Sequence, residues 1–314
     1  MNLLSSLRYL VALHEHRHFG RAAQACNITQ PALSNALRAL ETEFNVVIVK
    51  RDRAYAGLTA EGERVLATAQ SMLHEHAVLQ QELHSKPEVP HGFLRVGAVP
   101  TAMPIAARFA ALLQARHPGI VPMVLSMSSQ DLEQGLGDLS LDLALGYTDR
   151  MGPQAARWVA CPQYTEHYFL LRRATKPHPN GLQIGPPMTW QDASRLPLCM
   201  LTPDMHNRTV VNAAFAAAGM SVQPALQTNS VLTLVLSVVA GQLCSVLPGA
   251  LVGTVRHDRE LEALPLTAPD VLMPIGFMSH GTARPSRTLQ AALALALDAQ
   301  WLAQAQAHSG LLGH

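Results

Sequence analysis

The chain has 314 residues, 48% of them apolar, and a formal net charge of +1. At about 150 residues per domain this is too long for one ordinary core, so two large units, or one large domain with small attachments, are expected. The longest apolar run, Val231 to Ala240, is interrupted by Thr233 and Ser237 and falls short of the ~20 residues of a membrane span. The N-terminus lacks the ordered segments of an export signal, so a soluble, cytoplasmic protein with no membrane partner is expected.

The first informative stretch is Gly20 to Glu41, which predicts two short helices joined by a tight turn. Ala22 and Ala23 allow a close helix crossing, and Asn27 tolerates a left-handed turn geometry. Thr29 stands where a helix N-cap belongs, and Pro31 falls in the first turn, where its missing N–H costs little. Ala32, Leu33, Ala36, Leu37 and Leu40 recur at helical spacing and are expected inside. Gln30, Ser34, Asn35 and Arg38 are left facing out. Such side chains hydrogen-bond base edges or phosphates, so Thr29, Gln30, Pro31, Ser34, Asn35 and Arg38 are candidate contacts of a helix lying in the DNA major groove. On spacing alone, an ordinary αα-hairpin with a polar face fits as well.

From Phe44 to Arg53 the pattern turns strand-like and ends in Lys50, Arg51 and Arg53. A short hairpin after such a helix is a wing, and Arg51 and Arg53 at its tip would meet the phosphate backbone. Residues 1–58 hold seven Lys/Arg against four Asp/Glu, and the remainder 16 against 18. Affinity for nucleic acid is therefore expected at one end only, with His14, His16 and His18 adding charge at lower pH.

Arg21-Ala-Ala23, Gln30-Pro-Ala-Leu-Ser34, Leu37, Leu40-Glu41 and Leu58-Thr-Ala-Glu-Gly62, in that order and spacing, resemble the N-terminal signature of the LysR-type transcriptional regulators. Asn45, Val47 and Val49 depart from it where the family usually has Gly, Pro and Phe, and Asn35 where it usually has Arg. The resemblance implies a linker helix and a homodimer or homotetramer on double-stranded DNA of dyad symmetry. It also implies a two-lobed effector-binding domain, and transcriptional activation in contact with RNA polymerase as family habit.

Thr59 to about Ser85 is helical without a proline, with Val65, Met72 and Leu79 seven apart and Leu66 and Leu73 likewise. Heptad spacing favours helix pairing, and dimerisation suits the reading of two half-sites; a helix packed only on its own domain is the alternative. After Pro87, Pro90 and Gly92 the chain reads strand–helix–strand twice: Phe93–Val99, Pro104–His117, Ile120–Leu125, a helix near Asp131 and Leu141–Tyr147, then Leu198–Leu201, Asn207–Ala218, Gln223–Gln227, Val231–Ala240 and Cys244–Leu247. This argues for parallel sheets covered on both faces. Arg157–Arg172 and Val271–Ser279 are expected to cross between the two sets, and one last helix, Arg284–His308, to return to the first.

The predicted architecture is thus an N-terminal all-α winged helix-turn-helix (1–58), a linker helix (59–86) and a C-terminal α/β two-lobed domain like the periplasmic binding proteins (91–314). Lobe I spans about 91–161 and 270–308, and lobe II about 162–269. Ligands of open α/β sheets sit beyond the carboxyl ends of strands. In lobe I that selects Pro100, Thr101, Ala102, Met103, Ser126, Ser128 and Ser129. In lobe II it selects Thr202, Pro203, His206, Asn207, Arg208, Asn229 and Ser230. Hydroxyls and free backbone N–H groups at helix starts favour a small anion, and Arg208 is expected to receive a carboxylate. Thr101 and Thr202 read equally well as helix caps. These loops hold no Trp, Tyr or Phe, which favours a small polar acid over a large aromatic one.

Cys26, Cys161, Cys199 and Cys244 show no paired spacing and read as reduced core residues, with Cys199 considered as a redox sensor because some LysR relatives sense oxidants through a cysteine pair. His14 and His18, and His74 with His76, lack a third ligand at metal-site spacing and read as exposed histidines. No catalytic signature, cofactor motif or metal site is found, so a non-enzyme is expected. The competing reading is a solute-binding protein for a small organic acid, which accounts for residues 91–308 and leaves 1–86 unexplained.

Overall fold

The computed structural model describes residues 2–51, 55–84, 89–150, 158–281 and 285–309, apart from the side chains of Arg51 and His84. The chain forms two compact units, the second made of residues 87–136 and 141–314. In the first, helices α1 (Leu3–His16), α2 (Phe19–Ala25) and α3 (Gln30–Phe44) bury Leu7, Leu10, Leu13, Leu33, Leu37 and Leu40 against one another. Local chemistry sets the boundaries. His18 Nδ1 accepts from the N–H groups of Gly20 and Arg21 ahead of α2, and Thr29 Oγ1 accepts from Ala32 N ahead of α3. Asn27 and Asn45 take left-handed φ values of 54° and 51° in the turns that follow these helices.

Strands β1 (Val49–Arg51) and β2 (Tyr55–Leu58) pair antiparallel. Glu41 Oε1 accepts from both Ile48 N and Val49 N, tying this hairpin back to α3. Helix α4 (Ala60–His84) follows; its Leu66 and Ala69 complete the core, while Met72, Leu79 and Leu83 are exposed. Ala32, expected inside, is exposed, because Leu33, Leu37 and Leu40 alone define the inward arc of α3 and a neighbour lies about 100° away.

The second unit begins with β3 (Gly92–Ala98), α5 (Met103–Arg116), β4 (Ile120–Ser126), α6 (Ser129–Gly137) and β5 (Leu143–Tyr147). β6 (Trp158–Glu166) stays in this first sheet; past His167 the chain enters a second sheet as β7 (Tyr168–Arg173). Then come β8 (Gln183–Ile184), β9 (Met188–Thr189), α7 (Trp190–Ala193), β10 (Leu198–Leu201), α8 (His206–Ala217), β11 (Leu226–Thr228), α9 (Val231–Ala240), β12 (Cys244–Pro248), α10 (Gly249–Val252) and β13 (Leu261–Thr267). β14 (Met273–His280) returns to the first sheet, which α11 (Arg287–Ala296) and α12 (Ala299–Ser309) then join. Among the described residues the strand orders are β4-β3-β5-β14-β6 and β11-β10-β12-β7-β13-β8, with β9 beside β13.

Both sheets are mixed rather than parallel. β14 runs antiparallel to β5 and β6, and β7 antiparallel to β12 and β13, because each crossover strand enters its lobe without the intervening helix that a parallel return requires. β6 also carries the first lobe on to Glu166, past the expected limit at 161. The expected single last helix is broken at Leu297 and Asp298, where Asp298 Oδ1 accepts from Trp301 N and starts α12. That break seats the Trp301 ring 5.1 Å from Phe109, whose ring lies 4.4 Å from Phe277 in the lobe I core.

Candidate functional site

On the first unit, Thr29, Gln30, Pro31, Asn35 and Arg38 are exposed along the N-terminal half of α3, and Ser34 is half-buried. Arg38 Nη1 donates to Asn35 Oδ1 at 3.3 Å, one turn earlier on the same face. Arg53 and the Arg51 side chain lie outside the described residues.

In the second unit the carboxyl ends of β3, β5 and β10 face each other across a cleft. Pro100–Ala102 form a short 3-10 turn after β3, and Thr101, 1% exposed, does not cap a helix: its hydroxyl meets Tyr147 OH at 3.3 Å. Ser128 caps α6, its Oγ accepting from Asp131 N and donating to Asp131 Oδ2. Ser129, Tyr147, Leu201, Met205, His206 and Asn207 complete the wall around a cavity with room for about one water molecule. The lobes are therefore closed on each other. Arg150 Nη1 donates across the cleft to His206 Nδ1 at 2.8 Å while Arg150 Nε pairs with Glu133 at 3.1 Å. Burial, then Arg150, push the His206 imidazole down, so the ring is neutral, Nδ1 accepts and Nε2 carries the hydrogen.

Behind this wall lies a polar cluster that the loop-based reading missed. Glu166, at the end of β6, is fully buried; its Oε2 accepts from Tyr168 OH at 3.1 Å and Tyr147 OH at 3.3 Å. Asn207 Nδ2 donates to the same two hydroxyls at 3.4 and 3.3 Å, so one amide ties both lobes to the Glu166 hinge. Burial raises the Glu166 carboxyl to about 7, the tyrosine and threonine hydroxyls opposing the rise. Ser129 Oγ, Tyr164 OH, Glu166 Oε1, Thr202 Oγ1 and His206 Nε2 are all buried without a hydrogen-bond partner. Unpaired buried polar atoms are rare in folded proteins; here Ser129 and His206 line the cavity, and Glu166 and Tyr164 lie behind it.

Arg208 is not brought to it. Its guanidinium donates to Leu201 O at 2.7 Å, Asn212 Oδ1 at 2.9 Å and Gln227 Oε1 at 3.2 Å, fastening α8 to the lobe II sheet. Asn229 and Pro203 are exposed outside the cavity wall, Ser230 caps α9, and Met103 packs on the lobe I core. The expected absence of aromatic residues is corrected by Tyr147, Tyr164 and Tyr168, which come from strand ends and from the crossover. The one signal for them in the sequence is the run Tyr164-Thr-Glu-His-Tyr168, a carboxylate among aromatics where the chain passes between lobes.

Residues 87–301 match the family model for the LysR substrate binding domain, and residues 4–63 match that for the bacterial regulatory helix-turn-helix protein, lysR family. The chain belongs to the LysR family. It is a LysR-type, DNA-binding transcriptional regulator with a helix-turn-helix and an effector-binding domain, so the solute-binding alternative, silent on residues 1–86, is set aside. It is 28% identical over 306 residues to the DNA-binding transcriptional dual regulator OxyR of Escherichia coli K12, covering 95% of each chain. It is 27% identical over 270 residues to the probable HTH-type transcriptional regulator LrrA of Synechococcus elongatus, covering 86% of this chain and 88% of that one. Full-length OxyR from Pseudomonas aeruginosa has the same fold at a TM-score of 0.66, with 24% identity and 99% of both chains covered. So does CbnR in complex with its target DNA, at 0.62, with 18% identity and 96% and 99% covered.

Proposed function

We propose that α3 of this LysR regulator enters the DNA major groove with Thr29, Gln30, Pro31, Ser34, Asn35 and Arg38, and that Arg51 and Arg53 meet the backbone. A small effector, anionic at one end, binds between the lobes and biases the protein between arrangements of unequal promoter activity; it does so only by binding those arrangements unequally. Four unpartnered buried polar atoms, of Ser129 and His206 in the cleft wall and of Glu166 and Tyr164 behind it, carry the effector reading. Ser129 Oγ and the His206 Nε2–H are donors for an anion, and the first turns of α6 and α8 lie beside them. A homodimer or homotetramer presents two recognition helices to the half-sites of a dyad.

Likeness to OxyR favours a second reading, redox sensing through cysteines. The thiols argue against it: burial raises the pKa of all four, and a reactive cysteine needs its thiolate. Cys199 and Cys244 sit on neighbouring strands but on opposite faces of the lobe II sheet, in separate cores.

DNA affinity measured against salt tests the first half. Affinity for a dyad fragment falls steeply with salt, and Arg38→Ala weakens it by about tenfold or more if the side chain grips a base edge or phosphate. Unchanged affinity removes Arg38 from the interface.

A further inference from the structure

Two carboxylates among the described residues are buried below a tenth exposure, Glu166 and Glu262. Glu262 meets Arg172 at 2.6 Å. Glu166 meets no cation. Asn207 fixes the direction of its hydrogen bonds: an amide nitrogen only donates, so the Tyr147 and Tyr168 oxygens accept from it and turn their hydrogens to Glu166 Oε2. A carboxyl oxygen has lone pairs for both hydrogens whether or not the group is ionised, and Oε1 beside it makes no hydrogen bond. Tyr164 OH, equally buried, is unpartnered too. A buried carboxyl with one unused oxygen, among three tyrosine hydroxyls of which that of Tyr164 is unpartnered, suits an ammonium group, which it neutralises on ionising and whose hydrogens these oxygens accept.

The cleft mouth has the opposite polarity. Arg150, the His206 Nε2–H and Ser129 at the start of α6 are donors, while Glu133 offsets the arginine's charge from outside. The ends of the cleft thus call for the two ends of one molecule. We propose that the effector is a small zwitterion of the amino-acid class, its ammonium received at Glu166 and its carboxylate held by Ser129 and His206. This rests on the reading of the cleft as the effector site. Access follows from the lobe contacts: Thr101, Tyr147 and Asn207 screen Glu166, and the 3.4 Å bond from Asn207 to Tyr147, long for a hydrogen bond, spans the lobes and parts when they separate.

Proton release is a second readout. The groups facing Glu166 are Tyr147 on β5, Tyr164 on β6 and Tyr168 on β7, all kept neutral by burial, with Thr101 and Asn207. Arg150, Glu133, Asp149 and His206 lie at the mouth, and His167 and Asp270 are the titratable groups at the crossovers. An ammonium ion against Glu166 favours its charged form, so binding below neutral pH expels a proton from the carboxyl.

The test is calorimetry and thermal shift on the full chain with the common amino acids, 3-aminopropanoate and 4-aminobutanoate, each beside its matched acid without the amine and its matched amine without the acid. At least one amino acid is expected to bind about tenfold tighter than its matched acid, with heats that vary with buffer ionisation enthalpy. Glu166→Gln is expected to erase that preference while the plain acid still binds. Should that variant fail to fold, Tyr164→Phe and the proton release of the parent chain decide the matter. Equal binding of the plain acid, a preference that survives Glu166→Gln, or no amino acid bound overturns the proposal. If plain acids bind and Thr101→Val abolishes it, only the zwitterion is lost; if no small acid, amine or amino acid stabilises the chain, the effector reading goes as well.

Discussion

Burial lifts the Glu166 carboxyl from an ordinary 4.5 to about 7, so between those values the folded chain holds more protons than the unfolded one. Its stability therefore falls as pH rises from about 4.5 to 7, by up to about 3 kcal/mol at full extent. Glu166→Gln keeps the shape and removes the charge: it is expected to match the parent near pH 4.5 and to melt higher above pH 7, and thermal melts across that range check it. Asn45 is a second residue whose role is set by backbone geometry. At φ 51° it closes α3, and asparagine adopts that conformation with little strain. Asn45→Gly should leave stability within about 0.5 kcal/mol and Asn45→Val should cost about 1–2 kcal/mol, read from denaturant midpoints. The expected family glycine and the observed asparagine thus meet one requirement. Arg208 shows the limit of such reading, since nothing local to its helix reveals that Leu201 O and Gln227 occupy its guanidinium.

Among elements, α3 was legible because its cap, its proline and its leucine arc are all local. Helix α4 was legible only in part. Its heptad residues divide, Leu66 entering the core of the first unit while Met72 and Leu79 stay 41% and 52% exposed, joined one turn on by Leu83 at 75%. Apolar side chains repeated on an exposed helical face favour a second helix. Leu83→Asp is expected to weaken self-association by about tenfold or more without lowering the melting temperature of the separated chain, measured by sedimentation over a dilution series. Unchanged association means that α4 is not an interface. The crossover strands β6, β7 and β14 read as extended in the sequence, yet their antiparallel pairing did not, because pairing partners far along the chain are chosen by closure of each sheet.

For the whole molecule, assembly is the property still open to test, as LysR regulators oligomerise. β4 is an edge strand of the lobe I sheet, and Val121, Met123 and Leu125 expose one face of it, 51%, 46% and 39% accessible. In lobe II, Leu232 and Leu236 project from α9 at 64% and 52%. An apolar edge strand left open invites pairing with another chain, and these faces are expected to meet between copies. Met123→Lys is expected to shift the assembly toward smaller species in size-exclusion chromatography while unfolding stays cooperative. A variant that assembles like the parent takes β4 out of the interface.

What the sequence by itself determined is whatever depends on neighbours a few residues apart: the helix-turn-helix with its caps, the strand–helix alternation of both lobes, and the family to which they point. The tertiary structure alone decided the cleft chemistry. Glu166, Tyr147, Tyr168 and Asn207 come from separate elements, and their hydrogen bonds and raised carboxyl pKa exist only once two lobes exclude water around them. A buried charge has consequences out of proportion to its place in the chain, because its free energy is set by what surrounds it in space.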